Sequence, residues 1–269
     1  TAPDTAADHH GEQGTRACGL MKLLLPREHG AYGQLLLPLC TALVLGGRPQ
    51  SVSYLLCATA LALFWAHEPL LIVLGQRGTR ARREHGRWAG VLLLLLLVVA
   101  AVSLLAAYQR LPVPLRIHLA MPLGLGGLVL PWLFARKEKT TVAELLVATA
   151  LSSWAAPILL SKGVSTSQAY QLVWSFAMLF AVAVLLVRGL MNKLSLGWSV
   201  GVAGTGLLAT HWAGLHGLLP PQAMWPLLPM AVLVTGLVLV HPSPRYLRHV
   251  GWSIVVVTLA MIAIVSLGL

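Results

Sequence analysis

"RREHGRWAGVLLLLLLVVAAVSLLAAYQR", Arg82–Arg110, decides the fold. Between Arg87 and Arg110 there is no charged residue. The apolar block inside, read as a helix over roughly 88–107, has the ~20 residues that cross a hydrocarbon core about 30 Å thick. Blocks of this kind recur along the chain. Of 269 residues, 57% are hydrophobic and only 10% charged, where a soluble domain carries roughly 25% charged residues. So few charges cannot cover a water-soluble globule of this size. The composition implies an all-α polytopic transmembrane bundle.

Apolar blocks between charged or Pro/Gly breaks predict nine helices, at 30–46, 52–74, 88–107, 115–134, 141–160, 169–191, 196–216, 223–241 and 250–269. They form one transmembrane domain over residues 21–269. Residues 1–20 differ. They are polar, hold the only two aspartates (Asp4 and Asp8), and lack the apolar core of a signal peptide. They read as a disordered tail or as an extension upstream of a start at Met21, with His9 and His10 incidental to it.

The net charge of +11 does not point to nucleic acid, because the basic residues sit in short loops between apolar blocks, as topology requires. Fifteen of the 19 Lys and Arg residues fall on one side of nine alternating spans, and Arg48, Arg110, Arg116 and Lys162 on the other. The expectation is a bacterial cytoplasmic-membrane protein with its N-terminus inside and its C-terminus outside. Cys18, Cys40 and Cys57 show no metal-binding spacing, and the last two lie in apolar runs, as structural thiols do.

Arg-Glu-His-Gly occurs twice, in "PREHGAYG" (Pro26–Gly33) and in "RREHGRWAG" (Arg82–Gly90). Each copy is expected at the cytoplasmic start of a helix, the first and the third. There a glutamate suits the positive end of the helix dipole, arginine reaches the headgroups, and Tyr32 and Trp88 sit at interface depth. The first copy has a second reading. Helix 2 ends in "FWAHEPLLIVLGQRG", which places His67 and Glu68 inside the hydrocarbon, two turns before Gly75. An ionisable residue there is costly and usually faces a cavity or a partner, and Pro69 removes a backbone donor beside it. Glu28 and His29 of helix 1 are expected near Glu68 and His67, with Arg27 and Arg77 at the rim. These six residues form the candidate ligand site, with Glu68 as the one catalytic candidate.

The opening "PREHGAYGQLLLP" (Pro26–Pro38) and the "HEP…GQRGTRARR" segment (His67–Arg83) resemble the YwiC-like family of bacterial membrane proteins. A more distant likeness is to the UbiA-type prenyltransferase superfamily, which implies nine helices, an inside N-terminus and a cavity near the cytoplasmic face. In that superfamily, helices 2 and 6 end in aspartate-rich motifs that hold Mg²⁺ and a prenyl diphosphate. This chain departs from the pattern. From Met21 onward it has no aspartate, and its glutamates are Glu28, Glu68, Glu84, Glu138 and Glu144. Near the end of helix 6, in "LLVRGLMNKLSLG", Asn192 is the one neutral oxygen ligand. Two Mg²⁺-diphosphate sites, each needing several oxygens, are not expected, and no metal site is.

Gly197, Gly201 and Gly204 suggest a close-packing face on helix 7, and Pro122, Pro131, Pro226 and Pro229 suggest kinks or breaks. Haem needs facing axial histidines. No spacing among His118, His211, His216 and His241 is diagnostic of it, and haem is disfavoured. Glu144 has either a helix-start dipole role or a place in the Glu68 pocket. The arginines of loop 2–3 serve topology, anionic headgroups or a phosphate-bearing substrate. The leading expectation is a protein that holds an amphipathic, isoprenoid- or quinone-like ligand near the cytoplasmic face, without Mg²⁺-dependent prenyl transfer. The alternatives are a divergent prenyltransferase using Glu68 and a proton-coupled transporter. The sequence does not fix a partner subunit or oligomeric state.

Overall fold

The computed structural model describes residues 29–191, 195–240 and 244–268. Among the described residues there are nine rods of helix and no strand. They are α1 His29–Val44, α2 Ser51–Val73, α3 Thr79–Arg110, α4 Val113–Phe134, α5 Thr141–Ser161, α6 Thr166–Leu190, α7 Leu196–Leu215, α8 Leu228–Val240 and α9 Leu247–Gly268. Short 3₁₀ turns, Pro221–Leu227 and Pro244–Tyr246, lead into α8 and α9. Among the described residues seven stretches are long and apolar enough to cross a membrane, that of α8 counted from Ala223 in the preceding 3₁₀ turn; α1 is apolar but shorter, and α7 is not among the seven. The chain is thus a helical membrane bundle.

Proline explains the irregularities. α4 passes through a 3₁₀ stretch at Ile117–Leu119, one turn ahead of Pro122, whose ring crowds the carbonyl four residues earlier, that of His118. α5 breaks at Trp154 between Thr141–Ser153 and Ala155–Ser161. Pro157 is responsible there, since its i−4 carbonyl is that of Ser153. Pro229 instead falls in the first turn of α8, where the missing N–H costs nothing.

The helices fall into two compact units, one built on Ala58–Leu105 and the other on Gly30–Cys57 with Ala106–Leu269. In the first, α2 packs on α3 through Ile72 and Ala89, flanked by Val73 and Leu92. Farther along, the Thr59 and Ser103 hydroxyls share a buried 2.9 Å hydrogen bond, and Ser103 also donates to the Val99 carbonyl at 2.6 Å. Hydroxyls that pair across helices in this way keep their polarity out of lipid. α3 begins at Thr79, nine residues before the expected start, so the second Arg-Glu-His-Gly lies inside the helix rather than at its start. Charge did not mean loop here. Arg, Ala and Glu are good helix formers, and Arg80 donates to Glu84 one turn on at 2.8 Å.

In the second unit, α6 is the central element, with Phe176 and Phe180 stacked 5.7 Å apart and a core of Val182, Leu186, Met230 and Val234. The Trp174 indole donates to Thr210 of α7. The close approach of α6 and α7 is at Gly206, where an added Cβ would meet Met178 Cε at 2.1 Å. The expected packing glycines Gly201 and Gly204 instead have open space beside them and are exposed. The small-residue spacing was real, but the packed face is the one carrying Gly206.

α1 ends against the α5–α6 turn of the same unit. Lys162 Nζ donates to the carbonyls of Ala42 (3.0 Å) and Leu43 (2.8 Å), and also to that of Leu45. These are carbonyls a helix end leaves without a partner. Burial pushes the Lys162 ammonium below its ordinary lysine value, while the three acceptors favour its charged form. Beside it Gly46 adopts φ +75°, and a Cβ there would lie 2.3 Å from Val164 Cγ2. Gly46→Ala is therefore expected to destabilise the protein by about 1–3 kcal/mol, from combined backbone strain and overpacking. Thermal unfolding in detergent measures this, and an unchanged midpoint would show that the contact relaxes freely.

Candidate functional site

Glu68 lies five residues before the end of α2, about 7–8 Å up the helix at 1.5 Å per residue, and it is 1% exposed. Its partner arrives by a defined turn. Gly75 takes φ +74°, and the Gly75 and Gln76 amides donate to the Ile72 and Leu71 carbonyls at 3.0 and 2.9 Å. This paired closure ends the helix and satisfies its last carbonyls. Gly78, at φ +98°, then starts α3. Arg77 sits between the two glycines and folds back on the helix it has just left.

The result is a two-bond fork. Arg77 Nε donates to Glu68 Oε1 and Nη2 to Oε2, both at 2.7 Å. The two side chains differ in exposure, 25% for Arg77 against 2% for Glu68. The carboxylate is closed off while the guanidinium shows part of its surface. Parallel charge-assisted bonds of this kind fix the plane of the guanidinium as well as holding it. His67, the preceding residue, is half-buried. Arg82 of α3 lies over the turn, its side chain passing within 3.5 Å of where a Gly75 Cβ would stand.

The structure thus brings Glu68 and Arg77 together. His29 is the first described residue of α1, without a described side chain, and Arg27 and Glu28 lie outside the described residues, as do Asn192 and His241.

A second fork stands in the other unit. Arg188, in the last turn of α6, donates from Nε to Glu144 Oε2 at 2.8 Å, and its Nη2 lies 2.8 Å from Oε1. The same Nη2 donates to the Lys139 carbonyl. Glu144 is in the first turn of α5, so the dipole role holds, with an arginine added. Sequence reading counted Arg188 only as a loop charge. Its place in the apolar run "LLVRGL" was the signal, since an arginine there must find a partner. The histidines have separate surroundings. His118 Nδ1 shares a 2.8 Å hydrogen bond with the Tyr170 hydroxyl, His216 Nδ1 is 2.9 Å from the Trp212 carbonyl oxygen, and His211 is exposed. Among the described residues no three His, Cys, Asp or Glu side chains converge as a metal site would require.

The fold and these charge pairs define a polytopic helical membrane protein with ionic contacts at its helix ends. The YwiC-like protein family matches over residues 25–160, just over half the chain, and the chain belongs to that family. The match runs from the start of α1 through α5 and includes Glu68, Arg77 and Glu144. No curated protein and no solved structure matches the chain.

Removing Arg77 would leave a buried carboxylate uncompensated, which costs about 3–5 kcal/mol. Arg77→Ala is therefore expected to lower stability by that order. Replacing both partners with leucine should recover most of the loss, because the desolvation penalty goes with the charges. A double-mutant cycle by thermal or denaturant unfolding reads this out, and additive losses would mean the pair is not coupled.

Proposed function

We propose that the chain binds an amphipathic ligand, isoprenoid- or quinone-like in its tail, with an oxygen-bearing head received at Arg77, and that it does so without Mg²⁺-dependent prenyl transfer. One observation carries the reading: a part-exposed guanidinium whose orientation is fixed by a buried carboxylate at the end of an apolar helix. Fixed donors bind better than mobile ones because less entropy is lost on association. In this reading Glu68 is a positioning residue, His67 lines the head, and Arg27, Glu28 and His29 complete the cytoplasmic lip. A UbiA-like helix arrangement is part of the same proposal.

The donor chemistry supports leaving Mg²⁺ out. Both oxygens of Glu68 are held by Arg77, and both of Glu144 by Arg188. A hard cation that wants six oxygens would first have to displace a guanidinium. Use of Glu68 as a catalytic base or a proton relay would require the same release.

Small molecules co-purifying with the gently solubilised protein, identified by mass spectrometry against background lipid from the same membranes, test the reading. An isoprenoid- or quinone-type amphipath should be enriched in the wild type and lost in Arg77→Gln. Equal recovery from both proteins would sink the site. The orientation is proposed too, N-terminus inside and C-terminus outside, on the excess of Lys and Arg in alternate loops. A C-terminal alkaline phosphatase fusion should be active and a C-terminal green fluorescent protein fusion dark; the converse pattern reverses the topology.

A further inference from the structure

α3 is 32 residues long, about 48 Å, so it overruns a hydrocarbon core of about 30 Å. Its uncharged part begins after Arg87, and the preceding turns carry the arginines. Arg80 is neutralised by Glu84, and Arg82 lies over the Gly75 turn. Arg83 and Arg87 remain. Both are exposed, one helical turn apart on one face, and neither has an ion-pair or hydrogen-bond partner among the described residues. Two like charges at i and i+4 repel, and an anion between them removes that repulsion.

The same face continues without interruption into lipid. Val91, Leu94 and Val98 follow on it, all exposed, with Trp88 (61% exposed) and Leu95 exposed along its edge. From Arg87 to Val98 is roughly 16 Å of helix, about half of a ~30 Å core, and so the depth of one leaflet. A phosphate, an interfacial backbone and acyl chains would meet guanidinium, indole and aliphatic side chains in that order. We propose that this face of α3 is a binding site for an anionic phospholipid of the surrounding bilayer, its phosphate bridged by Arg83 and Arg87. The argument is charge complementarity joined to a continuous apolar track, and it does not depend on the ligand at Arg77.

The test is native mass spectrometry of the full chain released from nanodiscs of mixed phosphatidylglycerol and phosphatidylcholine. Wild type should retain phosphatidylglycerol in preference. R83Q/R87Q should reduce that preference roughly tenfold or more, as two interfacial arginines would. Arg110→Gln, one charge lost at the far end of the same helix, should leave it intact, and so should the loss of Arg80 with Glu84. Unchanged retention in R83Q/R87Q would overturn the proposal, as would an equal loss in Arg110→Gln, which would mark a general charge effect. Should the double variant fail to fold, Arg83→Gln alone carries the same expectation at smaller size. Arg77 is intact in every variant, so failure here and failure of the Arg77 site are read separately.

Discussion

Lipid offers no hydrogen bonds, so every helix that ends in or near the hydrocarbon must find donors for its last carbonyls. Much of this structure follows from that demand. α2 and α5 close through glycines at positive φ, Gly75 and Gly163, and α7 does the same at Gly217. α4 closes in the same pattern with Arg136 at φ 58°, a conformation an L-residue adopts at some cost. α1 takes a different route and borrows the ammonium of Lys162 from a turn more than a hundred residues away. Each solution also fixes where the chain goes next. The Gly75 closure delivers Arg77 to Glu68, and the Lys162 contact holds the end of α1 to the α5–α6 turn.

Charge obeys the same logic. Glu68 and Glu144 each carry a guanidinium across both oxygens, so neither is a bare anion at a helix end. The two forks differ in what they leave visible. Around Glu144 the carboxylate is the more exposed partner, 37% against 13% for Arg188. Around Glu68 the arginine is the more exposed, 25% against 2%. The first serves as a clamp between α5 and α6. The second presents an oriented cation, which is why the binding proposal rests on Arg77 rather than on the pair in unit two.

The nine helices were legible because a long apolar block has one physical reading in a chain this poor in charge, although among the described residues only seven are long and apolar enough to cross a membrane. Glu68 stood out too, as an ionisable side chain in an apolar helix, and Arg77 lies nine residues on, just past Gly75. What escaped reading was long-range or facial. The partners of Lys162 and Arg188 lie 117–120 and 44 residues away, and nothing local names them. Small residues on α7 announced a close approach but not its face, which proved to be that of Gly206. The start of α3 was misplaced because charge was equated with loop, although arginine and glutamate one turn apart stabilise a helix.

The length of α3 has a mechanical consequence. From Arg87 to Arg110 the helix runs about 34 Å, a few ångströms more than an average hydrocarbon core. Such a helix fits by tilting or by snorkelling of its end arginines, and a thinner bilayer demands more of both. The covalent link from α2 to α3 is the short segment from Leu74 to Gly78, which contains Arg77 between two glycines, and the two helices also meet through Ile72, Ala89 and the Thr59–Ser103 hydrogen bond. A change in the tilt of α3 relative to α2 therefore acts on that packing as well as on the segment. A bilayer of different thickness thus bears on the α2–α3 contact, and Arg77, which holds Glu68, stands on the covalent link between the two helices.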